Sequence, residues 1–159
     1  MKHLTTSENK SYEWMSKHGV VLLRISIGII FFWFGIQKFF PGISSAEDLA
    51  TRTIEVMTFG VIKQTLGMPL LAAWEVIIGI TFLFGRFMRI AIPLLMLQMI
   101  GTITPLFFFP NEAFQSVPFV PTLAGQYIIK NLVLISGAMI IGAYHFGYTI
   151  RKEGSSANS

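Results

Sequence analysis

The sequence predicts an all-α membrane protein, an antiparallel bundle of four transmembrane helices with a short amphipathic helix in the first outer loop. Charged residues make up only 13% of the 159 residues and the mean hydropathy is +0.63, whereas a soluble domain usually carries about a quarter charged residues. Four apolar runs are long enough to cross a bilayer. The basic residues flank these runs and form no patch or stripe, which argues against a nucleic-acid partner.

The four spans are placed by the apolar runs and by the proline and glycine residues that interrupt them. At ~1.5 Å per residue, such runs match a hydrocarbon core of ~30 Å. Pro69 stands at a helix-starting position of the second span, and Thr122 is a candidate N-cap for the fourth. The predicted spans cover about residues 19–40, 68–84, 87–109 and 123–148 of one membrane domain, residues 1–159, with polar termini at 1–16 and 152–159.

The connection between the first two spans contains the segment SSAEDLATRTIEVM. Ser44 and Ser45 each precede an acidic residue by three positions, which is the spacing of a capping box. A helix that starts there would present Leu49, Thr53, Ile54 and Met57 on one face. We therefore expect a short amphipathic helix on the outer surface, acting either as a lid or as a plain connector.

The distribution of basic residues predicts that both termini are cytoplasmic. One side of the predicted spans carries seven basic residues: Lys2, Lys10, Lys17, Arg86, Arg89, Arg151 and Lys152. The other side carries two, Arg52 and Lys63. Arg86 and Arg89 are most simply anchors that fix this topology.

Polar residues inside the spans are the candidates for a site, because ionisable groups in hydrocarbon usually face a bundle interior or a water-filled cavity. Helical spacing places Arg24, Gly28, Phe31, Gly35 and Lys38 on one face of the first span. A similar face of the second span carries Glu75, Gly79, Phe82 and Arg86. Glycines on these faces would let the helix backbones approach closely.

Glu75 and Lys130 are predicted to lie deepest, ~9 Å and ~13 Å from the prolines that precede their spans. We expect them to interact directly or through water, with Lys38 within reach. Two simpler interpretations stay open. Glu75 and Lys130 could form a purely structural ion pair, and the Lys38 side chain could extend to the lipid headgroups. The candidate ligand-binding set is Lys38, Glu75, Lys130, Gln126, Gln37, Trp33, Trp74 and Gln98, and the residues with structural or topological roles are Arg24, Arg86 and Arg89.

Several kinds of chemistry find no support in the sequence. The chain has no cysteine, which excludes disulfides, thiolate metal sites and thiol redox chemistry. His18 and His145 fall at the predicted inner interface among tyrosines and lysines, an unfavourable setting for two axial haem ligands. No metal-ligand cluster, nucleophile–base pair or phosphate loop is recognisable, so no metal site and no intrinsic cofactor are predicted.

Three blocks of sequence are similar to those of a known family. LLRISIGIIFFWFGIQKFFPG, AAWEVIIGITFLFGRFMRIAI and LAGQYIIKNLVLISGAMII occur in this order, and together they resemble the DoxX-like integral membrane proteins, most closely the YkgB-like branch. The resemblance covers about residues 19–145 and implies a four-helix protein of the bacterial inner membrane. One relative is a membrane subunit of a thiosulfate:quinone oxidoreductase, and others are associated with oxidative-stress resistance. The positions carried over are Arg24, Lys38, Glu75, Arg86, Gln126 and Lys130.

Three functions remain open. The first is a membrane subunit that binds a quinone or another small ligand in the outer half of the bundle and receives electrons from a soluble redox partner. The second is a non-enzymatic factor that assembles, anchors or protects partner proteins. The third is a small transporter, which with four helices would need to be a homo-oligomer. The lipid bilayer is a partner in each case, and the sequence does not decide whether the protein is an enzyme.

Overall fold

The computed structural model describes residues 6–44 and 47–148. Four helical segments in this part of the chain are long and apolar enough to cross a membrane: Asn9–Gln37, Thr65–Phe84, Met88–Phe108 and Leu123–His145. This confirms the predicted all-α bundle. The elements are α1 (Thr6–Gln37), α2 (Glu47–Met57), α3 (Gln64–Phe84), α4 (Met88–Ile103), α5 (Pro105–Phe108), α6 (Pro110–Ala113), β1 (Phe114–Ser116), β2 (Val120–Pro121) and α7 (Leu123–His145).

Helix α1 is longer than the apolar run that predicts it. It has 32 residues and begins at Thr6, so much of the predicted polar terminus at 1–16 is helical. Hydropathy detects only the part of a helix that is apolar, whereas this extension is polar and carries a 2.6 Å salt bridge between Glu13 and Lys17, one turn apart. Residues 1–5 and the predicted polar tail at 152–159 lie outside the described residues.

Helix α3 begins at Gln64, and Pro69 lies inside it. The prediction that Pro69 starts this helix was therefore wrong. The missing N–H of Pro69 leaves the carbonyl of Thr65 without its usual partner in the helix, which is tolerated near a helix end. The prediction that Thr122 caps α7 is confirmed, since its Oγ1 accepts a hydrogen bond from Gly125 N at 3.2 Å.

The third predicted span is broken near its end. α4 stops at Ile103 and α5 starts at Pro105, and the hydroxyl of Thr104 between them donates to the carbonyl of Gly101 at 2.6 Å. The helix α6 and an antiparallel hairpin of β1 and β2 follow. The sequence analysis did not predict this hairpin, because strands of three and two residues are too short to show an alternating pattern.

Helices α1 and α3 pack closely, as the glycine-bearing faces predict. A Cβ atom on Gly28 would lie 2.8 Å from Leu83 N, and one on Gly79 would lie 2.7 Å from Phe32 Cα. Both distances are too short for a side chain, so glycine is required for this approach. The buried core draws on all four spans: Ile27, Phe31, Ile78, Phe82, Met88, Ala91, Leu95, Met99, Ala138 and Ile141.

The short helix α2 lies across one end of the bundle, where it contacts α3, α4 and α5. Ile54 lies against Gly67, and Met57 Sδ lies 3.4 Å from Thr104 Oγ1. The amphipathic helix in the first loop is thus confirmed. It starts at Glu47, whose N–H bonds to the carbonyl of Ser44 at 3.2 Å, while Ser45 lies outside the described residues.

Candidate polar site

Three polar side chains meet, from the turn after α1, from α3 and from α4. Lys38 Nζ donates to Glu75 Oε2 at 2.6 Å, and Gln98 Nε2 donates to Glu75 Oε1 at 2.7 Å. Both carboxylate oxygens are therefore engaged, one by an ammonium and one by an amide. We refer to Lys38, Glu75 and Gln98 as the polar cluster.

The backbone of α1 and α3 explains why the cluster forms. A Cβ on Gly35 would lie 2.9 Å from the Cβ of Glu75, so the absence of a side chain at position 35 lets α3 carry Glu75 against α1. Helix α1 ends at Gln37, and Lys38 begins the following turn with its N–H on the carbonyl of Gly35 at 3.2 Å. From this turn the Lys38 side chain reaches back to the carboxylate.

The cluster is almost fully buried. Glu75 is 7% exposed and Gln98 is 8% exposed, and the side chain of Lys38 is 13% exposed. Gln98 Oε1 is buried and has no hydrogen-bond partner among the described residues. A buried polar atom without a partner costs about 1–3 kcal/mol, so this oxygen is the position at which a ligand group or a water molecule would be stabilised.

The predicted pairing of Glu75 with Lys130 was wrong, because the carboxylate of Glu75 is bound by Lys38 and Gln98 instead. Lys130 is exposed, with its Nζ 5.4 Å from the centre of the Tyr127 ring. The physical reason is the orientation of α7, which packs on α4 and α1 through a face rich in small residues. The buried residues of that face are Gly125, Ile128, Gly137, Ala138, Ile141 and Gly142.

The other candidate ligand residues do not all converge on the cluster. Trp33 is 64% exposed and Gln126 is exposed as well, so both lie on the outside of the bundle. Gln37 is half-buried beside Lys38. Trp74 packs against the core and donates its indole N–H to the carbonyl of Leu94 at 3.3 Å.

In α7 the inward polar residue is Asn131, which follows Lys130 directly. Its Nδ2 donates to Thr102 Oγ1 on α4 at 3.4 Å. The sequence shows that Lys130 and Asn131 are the polar residues at this depth of α7. However, α7 is apolar on nearly every face, and its pattern therefore does not show which of the two faces the interior.

Arg24 lies at the opposite end of the α1–α3 pair. Its Nη1 donates to the carbonyl of Leu83 at 2.9 Å and to that of Phe82. These are among the last carbonyls of α3, which lack partners within the helix, so the guanidinium caps the helix and complements its dipole.

Arg86 and Arg89 are exposed in and after the α3–α4 connection, and Arg89 lies over the ring of Phe146.

An ion pair between α2 and α6 was not predicted. Arg52 donates to both carboxylate oxygens of Glu112, at 2.8 and 2.5 Å, and lies 2.8 Å from Asp48. We call the Arg52–Glu112 pair the clasp. The hydrogen bonds from Arg52 lower the pKa of Glu112 below its ordinary value. The two residues are 60 positions apart, and no local pattern connects them.

The polar cluster and Arg24, which caps α3, lie within a region that matches a family model. The model is described as DoxX and covers residues 19–110, more than half of the chain. This protein belongs to the DoxX family. Searches of curated proteins and of solved structures give no match.

The DoxX match includes Arg24, Lys38, Glu75 and Gln98 and stops before Gln126 and Lys130. With its four apolar helices, this DoxX protein is a multi-pass membrane protein whose environment is the lipid bilayer. Its assignment to the YkgB-like branch remains a prediction.

Proposed function

We propose that this DoxX protein is a membrane subunit that binds a quinone, or a small molecule with similar oxygen groups, at the polar cluster. The observation that carries the proposal is Gln98 Oε1, a buried acceptor without a partner among the described residues, next to a charged pair. A hydroxyl of the reduced ligand, the quinol, would donate to this oxygen. The Lys38 ammonium has three N–H groups and uses two, on Glu75 and on the carbonyl of Phe34 at 3.4 Å, which leaves one for a ligand carbonyl.

The chemistry of the cluster suits a ligand that exchanges protons. Reduction of a quinone to a quinol takes up two electrons and two protons, and Glu75 is the group beside Gln98 able to exchange a proton with a bound oxygen. Because the chain has no cysteine, thiol chemistry of its own does not supply the electrons. We propose a soluble redox partner subunit as their source, which links the protein to respiratory or oxidative-stress metabolism.

The proposed location is the bacterial inner membrane with both termini in the cytoplasm. The excess of basic residues beside the termini and in the α3–α4 connection supports this topology. The polar cluster and α2 would then lie in the outer half of the membrane. Reporter fusions at the C-terminus and after Arg52 should give signals from opposite compartments, and equal signals would contradict the topology.

Ligand binding is tested by titrating the purified protein with decylubiquinol under anaerobic conditions, because the hydroxyls of the reduced form can donate to Gln98 Oε1. Binding is followed by tryptophan fluorescence, since Trp74 adjoins Glu75 in the chain. We expect Gln98→Leu to weaken binding about tenfold, the loss of the one hydrogen bond that the ligand hydroxyl donates to Oε1. Gln126→Leu removes the same amide from an exposed position of α7 and should leave binding unchanged. If the two variants bind alike, the quinol does not bind at the cluster, and absence of saturable quenching in the native protein would refute the proposal.

The exposed face of α7 favours a second candidate, a factor that holds a partner protein in the membrane. Gln126 and Lys130 are both exposed there, whereas polar groups within spans usually face protein or water. A photo-crosslinker at position 130 should capture a second copy or another membrane protein if this function is correct. A crosslinker that reacts only with lipid would remove the support for it.

A further inference from the structure

A cavity lies at the end of the bundle opposite the polar cluster. It has a volume of about 190 Å³ and lies between α1, the C-terminal end of α3 and the C-terminal end of α7. Its walls combine polar and apolar groups, among them Val21, Arg24, Gly85, Ile141, Tyr144 and His145. Neither the polar cluster nor the clasp contributes to this cavity.

The guanidinium of Arg24 is held in place at the cavity wall. Its Nη1 is bound to the two carbonyls at the end of α3, and Gly85 leaves the space that this requires. A Cβ on Gly85 would lie 2.8 Å from Nη1, and Gly85 has a φ of +67° that favours glycine. Position 85 therefore accommodates the guanidinium both by its backbone conformation and by its lack of a side chain.

The unused edge of this guanidinium is suited to an anion. Arginine has five N–H donors in a planar fork, and the bonds to the α3 carbonyls use only Nη1. The groups at Nε and Nη2 have no hydrogen-bond partner within residues 6–44 and 47–148. A guanidinium edge of this kind binds two oxygens of one phosphate, a geometry that lysine does not reproduce.

The surroundings favour a phosphate that belongs to a lipid. Exposed Arg86 and Arg89 add positive charge near this end of the bundle. The cavity is bounded by residues at the ends of two spans, Phe84 and His145, and so lies at headgroup depth. Apolar walls such as Val21 and Ile141 suit the glycerol and acyl carbons that continue from a lipid phosphate, and they offer nothing to a free ion.

We propose that this cavity binds the phosphate of an anionic phospholipid, with Arg24 as its main ligand and with Tyr144 and His145 beside it. Basic pockets between transmembrane helices bind such headgroups in other membrane proteins. Binding there would join α1, α3 and α7 through one lipid molecule. This inference is independent of the quinone proposal, because the two sites share no residue.

The test uses native mass spectrometry of the full chain with phosphatidylglycerol, and phosphatidylcholine as the zwitterionic comparison. Arg24→Gln risks loss of the α3 cap, so the principal variant is Val21→Glu, which puts an acidic group at a half-exposed position of the cavity wall. We expect it to weaken phosphatidylglycerol binding about tenfold or more. Arg89→Gln, which lowers the net charge at the same end of the bundle outside the cavity, should weaken binding by less than about threefold.

Each outcome has a definite meaning. Weaker binding in Val21→Glu alone supports the site. Equal losses in Val21→Glu and Arg89→Gln would show a diffuse basic surface and overturn the proposal, as would equal retention of phosphatidylcholine and phosphatidylglycerol. Competition by inorganic phosphate in excess distinguishes the two sources of the anion: displacement of phosphatidylglycerol would assign the site to free phosphate and overturn the lipid assignment.

Discussion

Removing one partner of the Lys38–Glu75 pair probes the polar cluster most directly. The ammonium and the carboxylate lie 2.6 Å apart, with side-chain exposures of 13% and 10%, so each charge relies on the other. Loss of one partner from a buried ion pair costs about 3–5 kcal/mol. In Glu75→Gln the new amide keeps a hydrogen bond with Gln98 worth about 1 kcal/mol, so we expect the free energy of unfolding to fall by about 2–4 kcal/mol.

The size of this effect makes it measurable by thermal unfolding in detergent, followed by tryptophan fluorescence. For a chain of this length, 1 kcal/mol corresponds to about 2–4 °C in Tm, so Glu75→Gln should lower Tm by about 4–16 °C. Lys38→Met should show a loss in the same range. The double variant should recover about 2 kcal/mol or more of the summed losses, because no unpaired charge remains.

Lys130→Met is the matched control, since it removes an ammonium from an exposed position. We expect it to change the free energy of unfolding by about 0.5 kcal/mol or less. Additive losses in the Lys38–Glu75 double variant would show that these side chains do not interact and would refute the cluster. A loss in Lys130→Met as large as that in Lys38→Met would instead restore the pairing predicted from the sequence.

Two further predictions concern helix packing and the clasp. Gly79→Ala should destabilise the protein despite the higher helix propensity of alanine, because its Cβ would meet the backbone of Phe32, whereas Gly19→Ala, with no atom within 4 Å, should be neutral or stabilising by up to about 1 kcal/mol. The pKa of Glu112 is lowered by Arg52, so the clasp contributes fully above the unfolded pKa and is lost as the pH falls through the folded pKa. The protection of the α2 amides, measured as exchange rates corrected for the intrinsic pH dependence of exchange, should therefore fall on acidification in the native chain and be low at every pH in Glu112→Gln. A pH response of this protection that survives the substitution would contradict the assignment.

The sequence predicted the α1–α3 half of the bundle better than the α7 half. Spaced glycines and charges define one face on each of α1 and α3, and the structure joins these faces with Lys38 on Glu75. The sequence of helix α7 shows no comparable difference between one face and the others. Its small residues pack inward, and Lys130 was predicted to face the interior because it lies deep in its span, where charges usually do. In the structure it is Asn131, and not Lys130, that faces the interior.

Contacts between distant segments could not be predicted from the sequence, for a different reason. The Arg52–Glu112 clasp depends on how a broken helix and a short hairpin return the chain to α2, and no periodic pattern encodes that path. The cap on α3 by Arg24 likewise needs the length and offset of two helices together. Polarity within the spans indicated which residues are important, and tertiary geometry decided which of them meet.

The two ends of the α1–α3 pair restrict how this protein can change shape. Arg24 and Lys38 are 14 positions apart on the α1 side, about 21 Å along a helix axis. Arg24 is bound to the C-terminal end of α3 and Lys38 to Glu75 near its middle. Sliding α1 along α3 by one helical turn would break both attachments and drive Gly28 and Gly79 out of register. These two helices therefore behave as a fixed frame, and any opening that admits a ligand has to come from tilting or separation of α4 and α7 against that frame.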